Sequence, residues 1–340
     1  MSGTPGAIFS AHPAVALLAA FVMSVVLHEL GHLLPSLWFG FYVPRVSLGP
    51  LSLTRAQGPW RLRYSRNWFS ASVAAIPRDE TAWRARMLIV VAGGPLASLL
   101  TFVSAAYLLE KFGAAASFVS LTAQLNLLIF LFGLVPNSRH ASVRNDARLF
   151  LTLLENGCEA EQIKLYHLIT QLQIAGVRPR DYPRDLIHRV AASTGNYDLM
   201  LFAALAVFLW ALDSGDAGLA AVWDSRANEL LEDHALRLRD TVLCESACFD
   251  IVHRGALDSA ARKLRGIRFA NLPPWLQQRA KAALYIAEGS RASALSMLQQ
   301  ARASLPKGRP YYEFEAGMLE QLDQRVIMAG LQARAAQAAA

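Results

Sequence analysis

The residues best suited to chemistry stand together near the start of the chain, as His28-Glu29-Leu30-Gly31-His32. Residues four apart on a helix share a face, so two imidazoles at this spacing can be presented to one metal ion. Glu29, beside the first histidine, is then placed to act as general base toward a water that the metal activates. The motif lies inside an apolar run, where ionisable groups are costly unless they pair or bind something. Zn2+ is therefore the expected cofactor, with His28 and His32 as ligands. Gly31 leaves room for another backbone to come close. A catalytic zinc keeps three protein ligands and one open position, so a third ligand must come from elsewhere. Asp146, which opens the helical run NDARLFLTLL, and the nearby His140 are both candidates.

These side chains need elements that hold them. A hydrocarbon core about 30 Å thick takes about 20 mostly apolar residues in a helix. Three segments qualify, at about 13–39, 87–109 and 115–136, and the first carries the motif. That segment has no basic residues ahead of it and runs into His-Glu rather than a small-residue cleavage site, so it reads as a retained span rather than a signal peptide. Residues 1–12 contain no Lys or Arg. The loop after the first span carries Arg45, Arg55, Arg61, Arg63, Arg66, Arg78, Arg84 and Arg86, and Arg139, Arg144 and Arg148 follow the third. The bias places the N-terminus outside and everything after 137 in the cytoplasm. Glu110 then falls at the opposite membrane face, and Asp79 and Glu80 in a solvated loop. Within 43–76, VPRVSLGPLSLT and WRLRYSRNWFSASVAAI are rich in strand formers with partial alternation, broken by Gly49-Pro50 and Gly58-Pro59.

The second half reads differently. Over the whole chain 17% of residues are charged and the mean hydropathy is +0.28, against about 25% charge in soluble domains; the deficit lies before residue 137. Two domains are expected, at 1–150 and 151–340. A further apolar run, LMLFAALAVFLWAL at 199–212, is too short to span and predicts a buried soluble helix. Three segments look alike, at 211–223, 251–264 and 285–298, each with a glycine (Gly215, Gly255, Gly289) followed by an alanine (Ala220, Ala260, Ala294). The spacing fits helix-turn-helix repeats. Cys158, Cys244 and Cys248 do not form a disulfide pattern, and Cys244 and Cys248 read as small buried apolar residues. The net charge of +7 collects beside the apolar spans, and no phosphate-binding loop, nucleophile elbow or nucleic-acid motif is present, so no nucleic-acid partner is expected.

Taken together, HELGH in a first span, AGGPLAS at 92–98 in a second, and Pro136 followed by Asn145-Asp146-Ala147 after a third resemble the site-2 protease family of intramembrane zinc metallopeptidases. The resemblance covers about 13–150. It implies an all-α polytopic membrane fold with three core helices and a β-hairpin insertion, in a bacterial inner membrane. It also implies zinc held by His28, His32 and Asp146, with Glu29 catalytic. The substrate would be a segment of another membrane protein in the lipid bilayer, and the edge of the hairpin could hold it once unwound; a basic loop lying on anionic headgroups is the other reading of that hairpin. The chain departs from the family pattern at Gly133, where Asn is usual, at Ala147, where Gly is usual, and in the long gap from Pro136 to Asp146; Asn126 could supply the missing amide. The second half resembles a degenerate tetratricopeptide-like array, which implies a surface for a protein partner. A second functional expectation is an inactive membrane scaffold that recruits partners through those repeats.

Overall fold

The computed structural model describes residues 13–55, 59–64, 71–112, 117–137, 144–232, 238–306 and 308–339. It divides into two compact units, Met1–Gln171 and Leu172–Ala340. The division falls later than the change in composition because two helices beyond residue 145 belong mostly with the first unit.

The first unit begins with α1 (Pro13–Trp38), α2 (Trp83–Phe112) and α3 (Ser117–Leu134). Two of them, α1 and α2, are long and apolar enough to cross a membrane by length and composition; α3 is as apolar but shorter. Their outward faces carry exposed Leu18, Phe21, Leu34, Ile89, Leu100 and Phe132, the reverse of a soluble domain, where such side chains turn inward. Small and polar residues face inward instead. Ala16, Ala20, Ser24, Ser98, Ala123 and Asn126 are all buried, and close packing through small residues is how helices associate without a hydrophobic drive between them. At the crossing of α1 and α2, a Cβ on Gly31 would lie 2.2 Å from the Gly93 carbonyl oxygen, and one on Gly93 would lie 2.0 Å from the Gly31 carbonyl oxygen. Pro35, inside α1, has no N–H to offer that Gly31 carbonyl. The freed oxygen therefore faces the neighbouring helix, where only hydrogen fits.

Between α1 and α2 the chain forms β1 (Tyr42–Leu48), β2 (Leu51–Thr54), β3 (Arg61–Tyr64) and β4 (Ala71–Ile76). The expected hairpin is thus a four-stranded antiparallel sheet, ordered β3-β2-β1-β4. The segment past β3 returns to pair with β1, so the first hairpin becomes the middle of a sheet. Its register sets Leu51 opposite Tyr64 and Leu53 opposite Leu62. These four exposed side chains share one face, and Arg61 and Arg63 fall on the other.

Two helices complete this unit, α4 (Asp146–Glu155) and α5 (Cys158–Ala175). The second unit contains α6 (Arg184–Ala191), α7 (Tyr197–Asp213), α8 (Ala217–Glu232), α9 (Arg239–Phe249), a π-helical turn (Asp250–Arg254), α10 (Leu257–Arg265), α11 (Pro274–Ala287), α12 (Arg291–Ser304) and α13 (Pro310–Ala339). The run at 199–212 lies within α7, where Leu201 through Leu209 are all buried. Gly215, Gly255 and Gly289 each adopt positive φ, at 82°, 66° and 75°, which lets the chain reverse between helices where a side chain would be strained. Ala220, Ala260 and Ala294 are fully buried, so the following helix packs closely against its predecessor. Cys244 and Cys248 are likewise buried.

A charged triad sits inside this second core. Arg279 of α11 donates to Glu315 of α13 at 2.6 Å and to Glu245 of α9, and all three are nearly inaccessible. Burial pushes the Glu315 carboxyl up to about 7, against the pull of Arg279 and with the push of Glu245. A carboxyl raised in the folded state stabilises fully below its unfolded value near 4.5, and that contribution is lost as pH rises through about 7. Burial lowers His167 of α5 to about 4, which gives a slope of opposite sign, so the informative quantity is a difference. Between about pH 5 and 8, the melting temperature of the wild type should fall relative to that of Glu315→Gln. Parallel curves for the two proteins would show that Glu315 does not titrate in this window.

Candidate metal centre

Glu29, His28 and His32 project from the middle of α1, and Asp146 from the first turn of α4. His28 Nε2 lies 3.1 Å and His32 Nε2 3.4 Å from Asp146 Oδ2, and the two Nε2 atoms are 3.3 Å apart. Three ligands held about 2.0–2.1 Å from a common tetrahedral centre would be separated by about 3.3 Å. The other ring nitrogens are engaged outside the cluster. His32 Nδ1–H donates to the Val90 carbonyl at 2.8 Å, which fixes its tautomer, because a carbonyl can only accept. His28 Nδ1 lies 3.0 Å from Ser98 Oγ, which can accept the same proton. In those tautomers all three converging atoms present lone pairs, and outer partners of this kind orient metal-binding imidazoles. Among the described residues this is the one group of three such side chains able to hold a metal ion. The donor set of two imidazoles and a carboxylate fits zinc.

The second helix makes room for the pair. A Cβ on Gly94 would lie 2.2 Å from His32 Nε2 and 2.8 Å from His28 Nε2. Gly94→Ala should therefore displace both imidazole tips, lowering metal affinity about tenfold to a hundredfold while helix content by circular dichroism stays unchanged. An alanine variant that binds metal like the wild type would show that the cradle is looser than this. Glu29 Oε2 is buried with no hydrogen-bond partner among the described residues. Such an oxygen is costly to hold, and it is free to accept a proton from a molecule entering the site.

Asp146 arrives by a separate route. Asn145 caps α4, its Oδ1 accepting from the Arg148 N–H at 3.1 Å. Arg144 and Arg148 both pair with Glu159 of α5, at 2.6 and 3.0 Å. From the start of α2, Arg84 donates to the carbonyls of Leu153 and Leu154 at 2.6 and 2.7 Å, satisfying the C-terminal end of α4. The helix that bears Asp146 is thus tied at both ends to its neighbours.

His28, Glu29, His32 and Asp146 are brought together by the fold. His140 lies outside the described residues. Asn126 does not join the cluster: its Nδ2 donates to Ser24 Oγ and to the Thr122 carbonyl, joining α3 to α1. Glu80 pairs with Lys164 and Asp79 with Arg86, both away from the cluster. Ser98, the Val90 carbonyl, Arg84 and Asn145 were not foreseen as contributors. Ser98 was findable, since it follows Gly94 by four positions and so shares its helix face. No family model, curated protein or solved structure matches this chain.

Proposed function

We propose that the chain is a zinc-dependent endopeptidase of the site-2 type, cutting membrane-embedded or membrane-proximal segments of other proteins. The observation that carries this reading is the convergence of His28 and His32, on a helix long and apolar enough to cross a membrane, with Asp146, beside a Glu29 carboxylate oxygen that has no partner among the described residues. His28, His32 and Asp146 would hold the ion, and Ser98 and the Val90 carbonyl hold the imidazoles in the ligating tautomer. A zinc ion there supplies Lewis acidity toward a carbonyl and makes a water acidic enough to attack at neutral pH. Glu29 takes a proton on Oε2 and returns it to the departing amine nitrogen.

The arginine distribution supports an external N-terminus and a cytoplasmic second half, and we place three spans in a bacterial inner membrane. The apolar face of the sheet, with Arg61 and Arg63 on the reverse, suits the edge of a bilayer. The hairpins of the second unit resemble a tetratricopeptide-like array and would serve a protein partner. The departures at Gly133 and Ala147 favour a second reading, a membrane scaffold that recruits partners without cutting.

Metal analysis of the purified full chain tests the first reading. About one zinc per chain is expected in the wild type, and less than about a tenth of that in His28→Ala and in Asp146→Ala. A wild type that takes up no zinc after reconstitution would overturn the enzyme and leave the scaffold.

A further inference from the structure

Asp146 stands ten positions after Pro136, and the chain between must be closed for its carboxylate to meet two histidines on another helix. The closure is made by a pair of asparagines eight positions apart. The Asn137 N–H donates to Asn145 Oδ1 at 3.2 Å, and the Asn145 N–H donates to Asn137 Oδ1 at 3.4 Å. Asn145 Nδ2 also donates to the Val135 carbonyl at 2.6 Å. The same Asn145 Oδ1 caps α4 through the Arg148 N–H. One side chain therefore grips the end of α3, both sides of the intervening segment, and the first turn of the helix whose first residue is Asp146.

Each of these contacts bears on the ligand. A short carboxylate has little reach, and a binding constellation tolerates about 0.5 Å of error. First turns of helices fray unless capped. An amide uniquely does both parts of the work here: its oxygen accepts from two backbone N–H groups while its nitrogen donates to a carbonyl. Resting on the metal-site reading above, we propose that Asn145, latched to Asn137 and Val135, is the positioning residue that delivers Asp146 to His28 and His32. The latch lets a long connection after the third helix end at the same ligand as a short one would.

The test is Zn2+ affinity of the full-length protein in detergent, measured by chelator competition, in a double-mutant cycle. Asn145→Ala should weaken Zn2+ binding about tenfold to a hundredfold. In a background of Asp146→Ala it should change affinity less than about twofold, because Asn145 acts through Asp146. Asn145→Asp keeps the acceptor and loses the donation to Val135, so it should fall between wild type and alanine. Asn137→Ala, which spares the cap, should weaken binding in the same direction and serves if Asn145→Ala does not fold. Unchanged affinity in Asn145→Ala, or an equal loss with and without Asp146, overturns the proposal. A wild type that binds no Zn2+ overturns the metal-site reading instead, and the latch falls with it.

Discussion

On the proposed mechanism, Glu29→Gln should keep its metal and lose its chemistry. The amide preserves the shape of the side chain and cannot accept a proton as a carboxylate does, and loss of a positioned acid-base group costs about a hundredfold to ten-thousandfold in rate. His28→Ala, His32→Ala and Asp146→Ala should instead lose turnover and metal together, because each removes a ligand. The two signatures separate base from ligand in one set of proteins, with zinc content and hydrolysis of an unstructured peptide reporter measured side by side. Wild-type turnover in Glu29→Gln would mean that some other group moves the proton, and the proposed roles would have to be reassigned.

Arg279→Ala is expected to be the most damaging substitution in the second unit. It leaves Glu245 and Glu315 buried without their shared cation, and breaking a buried ion pair from one side costs about 3–5 kcal/mol. Domains of this kind have about 5–15 kcal/mol in all, so much of the helical signal should be lost at mild denaturant. Replacing all three together, with Arg279→Met, Glu245→Leu and Glu315→Leu, should be neutral or stabilising, since burying charge is itself expensive. Denaturation followed by circular dichroism distinguishes the cases; an Arg279→Ala loss below about 1 kcal/mol would show that water or rearrangement satisfies the carboxylates.

The contrast between these two sites explains what could be read in advance. His28 and His32 were legible because helical periodicity alone places them on one face, with Glu29 beside them, and the apolar setting makes all three conspicuous. Asp146 was preferred over His140 through the family resemblance rather than by spacing, because no local rule tells how a residue ten positions past Pro136 returns to the first helix. The repeating glycines and alanines announced the hairpins, since a turn and a close contact each demand a particular residue type. The triad of Glu245, Arg279 and Glu315 gave no such signal: three ordinary charged residues more than thirty positions apart look solvated until the helices are packed. The four strands, foreseen as two, show the same limit, for β4 pairs with β1 across an intervening hairpin.

If the chain is the proposed peptidase, the contact at Gly31 and Gly93 also limits how a substrate could approach. Where two backbones touch with no side chain between them, a passing polypeptide would have to pry the helices apart, and doing so would carry His28 and His32 away from Val90, Gly94 and Ser98. The seam between α1 and α2 is therefore a wall. On the proposed reading, a chain that reaches the cluster would have to enter by another side.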